Sequence, residues 1–179
     1  MIKKAIILAA GNGTRLKPFT DDTPKCLIKV NGKPVIDRII DHLIRHRITQ
    51  IFVNLHHLPH KIYEHLGSRV FYTYEKDLLG EHATISIITN IATDEDWLIT
   101  NGDTLTNLDI IKMYGYHKTN DAYITRFTKI NFAGTTIISP YKPKNKILTY
   151  DDSDSYYFDI GNPDKLKIAR EFYEKHNLL

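Results

Sequence analysis

The feature that most constrains the fold is a short apolar run near the N-terminus that ends in a glycine-rich loop. Residues 5–9 are continuously apolar, and Gly11 follows after one more alanine. An unbroken apolar run of this length is typical of a strand that is buried on both faces, as in a parallel sheet. Helices must cover the faces of such a sheet, so strands and helices are expected to alternate along the chain.

The rest of the sequence shows this alternation. Further strands are predicted over residues 50–55, 69–74, 97–100, 122–127, 135–139 and 156–160. Helices are predicted from Pro34 to Ile44, from Pro59 to Gly67, over 79–92 and 108–117, and after Asn162, an N-cap residue that precedes Pro163. The chain is therefore expected to be a single-domain α/β protein, with a mainly parallel twisted sheet and helices on both faces.

Composition limits the classes of protein to which the chain can belong. Its 179 residues are 42% hydrophobic, which suits one domain with a substantial core. The net charge is only +3 with basic residues spread along the chain, so neither a nucleic-acid partner nor a membrane partner is expected. Cys26 is the single cysteine, so an internal disulfide is excluded and a reducing, cytoplasmic setting fits. We expect Cys26 itself to be a small core residue. The first apolar run is too short for a signal peptide or a membrane span.

The loop after the first strand is suited to anions. Between Ala9 and Gly13, two alanines and two glycines let the backbone approach a ligand, and the N–H groups can hold anionic oxygens. The glycine spacing is not that of a dinucleotide fingerprint, and the Gly-Lys-Ser/Thr of a P-loop is absent. These residues leave two interpretations open, an anion-binding turn and a plain tight turn. Arg15 and Lys25 favour the first, because both are cations suited to phosphate, and we expect both to be exposed in an open cleft.

The loop at residues 8–16 reads Leu-Ala-Ala-Gly-Asn-Gly-Thr-Arg-Leu. It resembles the opening signature of the sugar-phosphate nucleotidyltransferase family, whose enzymes transfer an NMP from an NTP to a phosphorylated small molecule. The resemblance continues through Pro18, Thr20, Pro24-Lys25 and residues 30–34, and resumes at Leu79-Gly80, Asn101-Gly102-Asp103 and residues 158–163. It implies a Rossmann-like nucleotidyltransferase fold, with an NTP and a phosphorylated acceptor as partners.

The resemblance also implies a role for each matching residue. The nucleotide would be bound by Leu8, Ala9, Ala10, Gly11, Asn12, Gly13, Thr14, Arg15, Lys25, Gly80, Asn101 and Gly102. Arg15, Lys25 and Asp103 would be the catalytic residues, with Arg15 on the departing phosphates and Lys25 on the α-phosphate and the acceptor phosphate. Asp103 and Asp159 would share a Mg²⁺ ion as cofactor.

A separate argument from the residues singles out the same two aspartates. Asp103 directly follows a predicted strand and Asp159 lies inside another, so both are expected at the carboxyl edge of the sheet. A carboxylate among apolar residues is costly unless it is paired or bound to a metal. Oxygen ligands together with substrate phosphates are the usual surroundings of Mg²⁺. The alternative interpretation makes Asp103 a turn residue and Asp159 a helix-capping acid.

The acceptor region departs from the family pattern, because the chain is short. Relatives carry more strands between residues 120 and 159, with a Glu-Lys-Pro segment and an Asn-Ala-Gly segment that bind the acceptor. Asn131, Ala133 and Gly134 resemble the second segment with one residue inserted, and the first is missing or reduced to Lys129. Lys129, Asn131 and Gly134 are therefore the predicted acceptor-binding residues. Residues 1–105 would form the NTP-binding part, and residues 106–179 a shortened acceptor and metal part.

Three functions remain open at this point. The leading hypothesis is NMP transfer to a sugar 1-phosphate, which gives an NDP-sugar and pyrophosphate and is the commonest activity of the family. The second keeps the chemistry but uses CTP and a smaller acceptor, such as phosphocholine or a phosphorylated amino acid, and the shortened acceptor region favours it. The third is a non-catalytic nucleotide-binding regulatory module, which would not need Arg15, Lys25, Asp103 and Asp159 together. The sequence leaves the base and the oligomeric state open, a homodimer included.

Overall fold

The fold is described from a computed structural model, which covers residues 1–77, 94–128 and 133–178. The helix predicted over residues 79–92 lies outside these ranges. So do three predicted site residues, Gly80, Lys129 and Asn131.

The centre of the molecule is a seven-stranded sheet in the order β10-β8-β9-β6-β1-β4-β5. Its strands are β1 (Lys4–Leu8), β4 (Gln50–Leu55), β5 (Phe71–Tyr74), β6 (Trp97–Asn101), β8 (Ile124–Thr128), β9 (Ala133–Ile138) and β10 (Ile147–Tyr150). The pairs β1–β4, β1–β6, β4–β5 and β8–β10 are parallel, whereas β9 is antiparallel to both of its neighbours. The predicted mainly parallel α/β fold is confirmed, and β10 is a strand that the sequence did not reveal.

The remaining four strands form two smaller ladders outside the central sheet. They are formed by β2 (Lys29–Val30) with β3 (Lys33–Pro34), and by β7 (Thr104–Thr106) with β11 (Tyr157–Asp159). The second ladder, here called the ribbon, is antiparallel and pairs Thr104 with Asp159. The expectation that Asp159 lies at the edge of the main sheet is therefore wrong. The chain leaves the sheet after Asn101, and β7, with which the predicted strand around Asp159 pairs, is too short to show a sequence period.

The described helices are α1 (Val35–Arg45), α2 (Pro59–Leu66), α3 (Ile110–Thr119) and α4 (Pro163–Lys175). Their starts follow from local chemistry. The α3 helix begins two residues later than predicted because the Asp109 carboxylate accepts from the N–H groups of Ile111 and Lys112, both at 3.0 Å. The α4 helix begins as predicted: Asn162 Oδ1 accepts from the Lys165 N–H at 2.9 Å, and Pro163 occupies the first turn.

Alternate residues of the central strands pack on opposite faces of the sheet. Ala5 and Ile7 of β1 join Leu98 of β6 in the main core, which also contains buried hydrophobic side chains from all four described helices. Ile6 and Ile99 point to the other face and join a smaller cluster around Trp97. Burial on both faces explains why these strands read as continuous apolar runs. None of the described helices is both long and apolar enough to cross a membrane.

A buried polar cluster joins α3 to the sheet. The Asp96 carboxylate accepts hydrogen bonds from Ser139, Tyr114 and Tyr141. Burial alone would raise the pKa of Asp96, but these hydrogen bonds outweigh it and lower the pKa to about 2. The His117 ring, which is fully buried, has its two nitrogens 2.8 Å from the Thr125 and Ser139 hydroxyls. The cluster satisfies polar groups that would otherwise destabilise the core.

We expect Asn162→Ala to lower the free energy of unfolding by about 1 kcal/mol, because the Lys165 N–H loses its acceptor. Chemical denaturation of the two proteins measures this difference. Asn162→Ser retains an acceptor oxygen and should stay close to the parent. Equal stability of the alanine variant and the parent would contradict the capping role.

We also expect the protein to lose stability between pH 6.5 and pH 4. Burial lowers the pKa of both His42 and His117 to about 4, whereas a histidine in an unfolded chain has a pKa of about 6.5. The unfolded chain therefore takes up these two protons first as the pH falls. This should cost about 2 kcal/mol of stability per ring at pH 5. Urea unfolding at pH 7 and pH 5 measures the loss. In NMR titrations, at least two of the nine histidine rings should not titrate above pH 5, and titration of all nine would contradict the prediction.

Candidate active site

The glycine-rich loop leaves the sheet at the carboxyl end of β1 and is held by short contacts. Gly13 has a positive φ of 65°, which favours glycine, and its carbonyl accepts from the Thr20 hydroxyl at 2.8 Å. Leu16 is fully buried and anchors the one-turn 3₁₀ helix Thr14–Leu16 in the core. Within the described ranges, no N–H group of residues 11–15 donates to a backbone carbonyl. The loop is therefore fixed in shape while its backbone donors remain available.

A cavity of about 400 Å³ opens at the carboxyl ends of β1 and β6. It is lined by Leu8, Ala9, Gly11, Asn12, Gly13, Thr14, Arg15, Lys25, Cys26, Asn101, Gly102, Asp103 and Gly161. Most of the predicted nucleotide-binding residues thus lie on one surface. Ala10 is the exception among the described ones, since it is buried and does not line the cavity.

Gly102 holds the two sides of the cavity together. Its N–H donates to the Leu8 carbonyl at 2.8 Å. A methyl group at this position would lie 2.9 Å from the same carbonyl oxygen and 3.2 Å from the Ala9 Cβ. Only glycine lets the turn after β6 approach the end of β1 this closely. The residue therefore has a structural reason to be glycine, whatever binds in the cavity.

The two predicted phosphate-binding cations differ in their surroundings. Arg15 is exposed at the cavity, as expected. Lys25 is not: its side chain is only 15% exposed, and its ammonium forms an ion pair with the Asp103 carboxylate. The expectation of an open position for Lys25 is wrong, because the sequence does not show that the short turn Lys25–Leu27 packs beside residue 103. Next to it, Cys26 is buried, and burial raises the pKa of its thiol to about 12, as suits a core residue.

Asp159 ends β11 and is more enclosed than Asp103. Its Oδ2 atom accepts from the Lys165 ammonium at 2.6 Å. Its Oδ1 atom is buried with no hydrogen-bond partner among the described residues. A methyl group at Gly161 would lie 2.6 Å from that oxygen, so the glycine makes room for the carboxylate. Gly161 rather than Asp159 lines the cavity.

The two aspartates are close in the fold although they are far apart in sequence. Asp159 pairs with Thr104, the residue after Asp103, and the Ile160 N–H donates to the Asp103 carbonyl at 3.0 Å. Among the described residues, no group of three or more His, Cys, Asp or Glu side chains could hold a metal. A buried carboxylate oxygen without a donor, on a residue whose backbone neighbours that of Asp103, fits a divalent ion that completes its shell with substrate oxygens. The residues present therefore fit such an ion.

The structure also qualifies the acceptor prediction. Gly134 is buried, and a methyl group there would overlap the Tyr157 ring. The position is glycine because Tyr157 packs on it, so direct contact with an acceptor is not needed to explain it. Another cavity, of about 430 Å³, lies between α1 and the ribbon, and no predicted site residue lines it.

Lys165, in the first turn of α4, is a partner of Asp159 that the sequence analysis did not identify. A lysine in the first turn of a helix is unfavourable next to the positive end of the helix dipole. Two acids offset this effect: Asp164 in the same turn, and Asp159, with which Lys165 forms an ion pair.

Comparisons with known proteins identify the family of the chain. The model of the nucleotidyl transferase family matches residues 4–133. The chain is 30% identical over 171 residues to a UTP–glucose-1-phosphate uridylyltransferase of Synechocystis, covering 83% of this chain and 44% of the relative. It is 36% identical over 113 residues to an N-acetylmuramate alpha-1-phosphate uridylyltransferase of Neisseria meningitidis, covering 59% and 49%. The chain thus spans about half the length of these curated relatives.

Solved structures share the fold. A UDP-glucose pyrophosphorylase from Acinetobacter baumanii superposes with a TM-score of 0.83 at 15% identity, covering 99% of this chain and 95% of that one. HddC from Yersinia pseudotuberculosis, complexed with GMP-PN, gives a TM-score of 0.80 at 20% identity, covering 96% and 100%.

We expect Gly102→Ala to destabilise the protein by about 1–3 kcal/mol, because the added methyl group meets backbone atoms that cannot easily move. Thermal unfolding checks the effect. Gly115→Ala is the matched control: Gly115 is exposed in α3, and a methyl group there would have no neighbour within 4 Å. Gly115→Ala should melt at or above the parent temperature, because alanine favours a helix more than glycine does. If Gly102→Ala also melts at or above the parent temperature, the close approach of the two loops is not constrained as described.

Proposed function

The chain belongs to the nucleotidyl transferase family, and on that premise we propose that it transfers an NMP from an NTP to a sugar 1-phosphate, forming an NDP-sugar and pyrophosphate. The observation that carries this proposal is the cavity. It brings the glycine-rich loop, Arg15 and the Lys25–Asp103 pair to one surface at the carboxyl ends of β1 and β6. The names of the uridylyltransferase relatives support the substrate class.

In this proposal residues 1–105 hold the NTP, and residues 106–179 supply the acceptor region and the second carboxylate. The backbone N–H groups of residues 11–15 donate hydrogen bonds to the triphosphate. Gly102 and Asn101 close the opposite wall. Base and ribose contact Leu8 and the neighbouring small residues, where the absence of bulky side chains leaves room for flat groups.

The charges explain why the reaction needs no general base. A phosphate monoester has a second pKa of about 6, so at neutral pH it is largely a dianion and already a nucleophile. The barrier is its repulsion from the triphosphate. Arg15 binds the departing phosphates, and Lys25 holds the attacking and α-phosphate groups in line. A divalent cation, which we take to be Mg²⁺, would be held by Asp103 and Asp159 and would neutralise charge on the phosphate oxygens.

A smaller acceptor is the second candidate, and one contact favours it. The Tyr157 ring packs on Gly134 and fills the space beside a residue that we had expected to contact the acceptor. Less room on that side suits a compact phosphate monoester, such as phosphocholine or a phosphorylated amino acid, with CTP as the donor.

A matrix of substrates tests the proposal. The four common NTPs are each combined with glucose 1-phosphate, mannose 1-phosphate, N-acetylmuramate 1-phosphate, phosphocholine and phosphoserine, and pyrophosphate release is measured with Mg²⁺. Turnover with a sugar 1-phosphate supports the leading candidate, and turnover only with the small acceptors supports the second. Nucleotide binding without pyrophosphate release from any pair would favour the regulatory module and overturn both.

We expect Arg15→Ala to lower kcat/KM about a hundredfold with little loss of stability, because an exposed cation that binds the departing phosphates is removed. Steady-state kinetics with the best substrate pair measure the change. Lys17→Ala removes a neighbouring lysine that is 62% exposed and pairs with Asp21, and it should behave like the parent. Near-normal turnover of the Arg15 variant would remove this residue from the mechanism.

A further inference from the structure

The carbonyl oxygen of Gly13, in the glycine-rich loop, accepts two hydrogen bonds. One comes from the Leu16 N–H at 2.9 Å and closes the turn of the loop. The other comes from the Thr20 hydroxyl at 2.8 Å. A carbonyl oxygen has two lone pairs, so both acceptor positions of this group are filled. The orientation of the peptide group that joins Gly13 to Thr14 is therefore fixed by two separate donors.

Thr20 reaches this carbonyl from behind the loop. Successive backbone turns over residues 16–21 fold the chain back towards Gly13. Thr20 is only 2% exposed, and the described residues that line the cavity include Gly13 and Thr14 but not Thr20. The hydroxyl thus lies in the protein interior, on the side of the loop that faces away from the cavity.

The direction of the Gly13 carbonyl also sets the direction of a donor. Because the peptide group is planar and trans, the N–H of Thr14 points opposite to the carbonyl of Gly13. Since that carbonyl is bonded to Thr20 inside the protein, the N–H is directed towards the cavity. Within the described ranges it donates to no backbone carbonyl, so it is available to a ligand.

We propose that Thr20 is a positioning residue for phosphate binding, whose hydroxyl holds the Gly13–Thr14 peptide group so that the Thr14 N–H faces the phosphate oxygens of the nucleotide. The proposal rests on the proposed function for the presence of a triphosphate at this loop. Thr20 itself touches no substrate and acts only through the carbonyl that it binds.

The need for such a contact follows from the glycine. Gly13 has a positive φ of 65°, but a glycine populates negative φ values about as readily. The Leu16 N–H belongs to the same turn as the carbonyl, whereas Thr20 adds a bond from outside that turn. Without this bond the peptide group would spend part of its time in other orientations, and the affinity for phosphate would fall with the fraction that is correctly oriented.

Binding of inorganic tripolyphosphate, measured by isothermal titration calorimetry, tests the proposal without any turnover. Thr20→Val keeps the shape of the side chain and removes the hydroxyl, so we expect it to weaken binding about five- to tenfold. Thr20→Ser keeps the hydroxyl and should bind within about twofold of the parent.

Thr125→Val is the matched control. Thr125 is fully buried in β8, which two strands separate from β1, and its hydroxyl lies 2.8 Å from His117 Nδ1. This variant also loses a buried hydroxyl and should lose stability. Because the site of the change is remote from the loop, it should bind tripolyphosphate like the parent.

A second readout follows the donor itself. In the parent, the Thr14 amide hydrogen should exchange with solvent more slowly once tripolyphosphate is added, because it then forms a hydrogen bond. Thr20→Val should lose most of this protection. The measurement on the parent decides the question even if the valine variant does not fold, since a Thr14 amide that stays unprotected would contradict the proposal.

Three binding results would overturn the proposal. They are unchanged affinity in Thr20→Val, equal weakening in Thr20→Ser and Thr20→Val, and equal weakening in Thr125→Val. The second would assign the effect to packing, and the third to a general loss of stability. Pyrophosphate release together with binding that does not depend on Thr20 refutes this proposal alone, whereas binding that depends on Thr20 without pyrophosphate release from any substrate pair refutes the proposed function alone.

Discussion

The parallel pairing of β1 with β6 is the constraint on which the rest of the site depends. It sets Leu8 opposite Asn101, so both strands end at the same level. The hydrogen bond from Gly102 to the Leu8 carbonyl extends the ladder by one contact beyond the sheet. Backbone hydrogen bonds therefore fix the positions of both loops, and with them the walls of the cavity, without help from side-chain contacts. The Lys25–Asp103 pair then spans this junction and joins a loop of the first wall to a turn of the second.

The parts of the fold that the sequence could predict are those that repeat a pattern over several residues. The buried strands read as apolar runs because both faces of the sheet are covered, and α4 was located by its Asn-Pro start. One strand of the ribbon, β11, lies within the strand predicted over residues 156–160, but its partner β7 was missed because three residues are too few to show a period. The cluster around Asp96 and His117 was missed for a different reason. Its members are polar residue types that usually lie at the surface, and only their mutual hydrogen bonds make burial favourable.

The same division holds within the site. The glycine-rich loop and Asp103 could be found because short motifs contain them. Ion pairs between residues far apart in sequence could not be found, since Lys25 and Asp103 are separated by 78 residues and no local pattern links them. Gly134 is the opposite case, and its contact with an acceptor stays a prediction. It matched a family segment, but its contact with Tyr157 supplies a sufficient packing reason for a glycine at that position.

The ribbon has a consequence for the order in which this protein matures on the ribosome. Its ladder pairs Thr106 with Tyr157, and the Thr106 hydroxyl also donates to the carbonyl of Tyr156, 50 residues away in sequence. Closing so long a loop costs chain entropy, and it can happen only after β11 has left the exit tunnel. A nascent chain can therefore complete the glycine-rich wall well before the second aspartate is available. The carboxylate pair belongs to the last stage of folding, so a growing chain that engages a nucleotide early cannot yet assemble the pair.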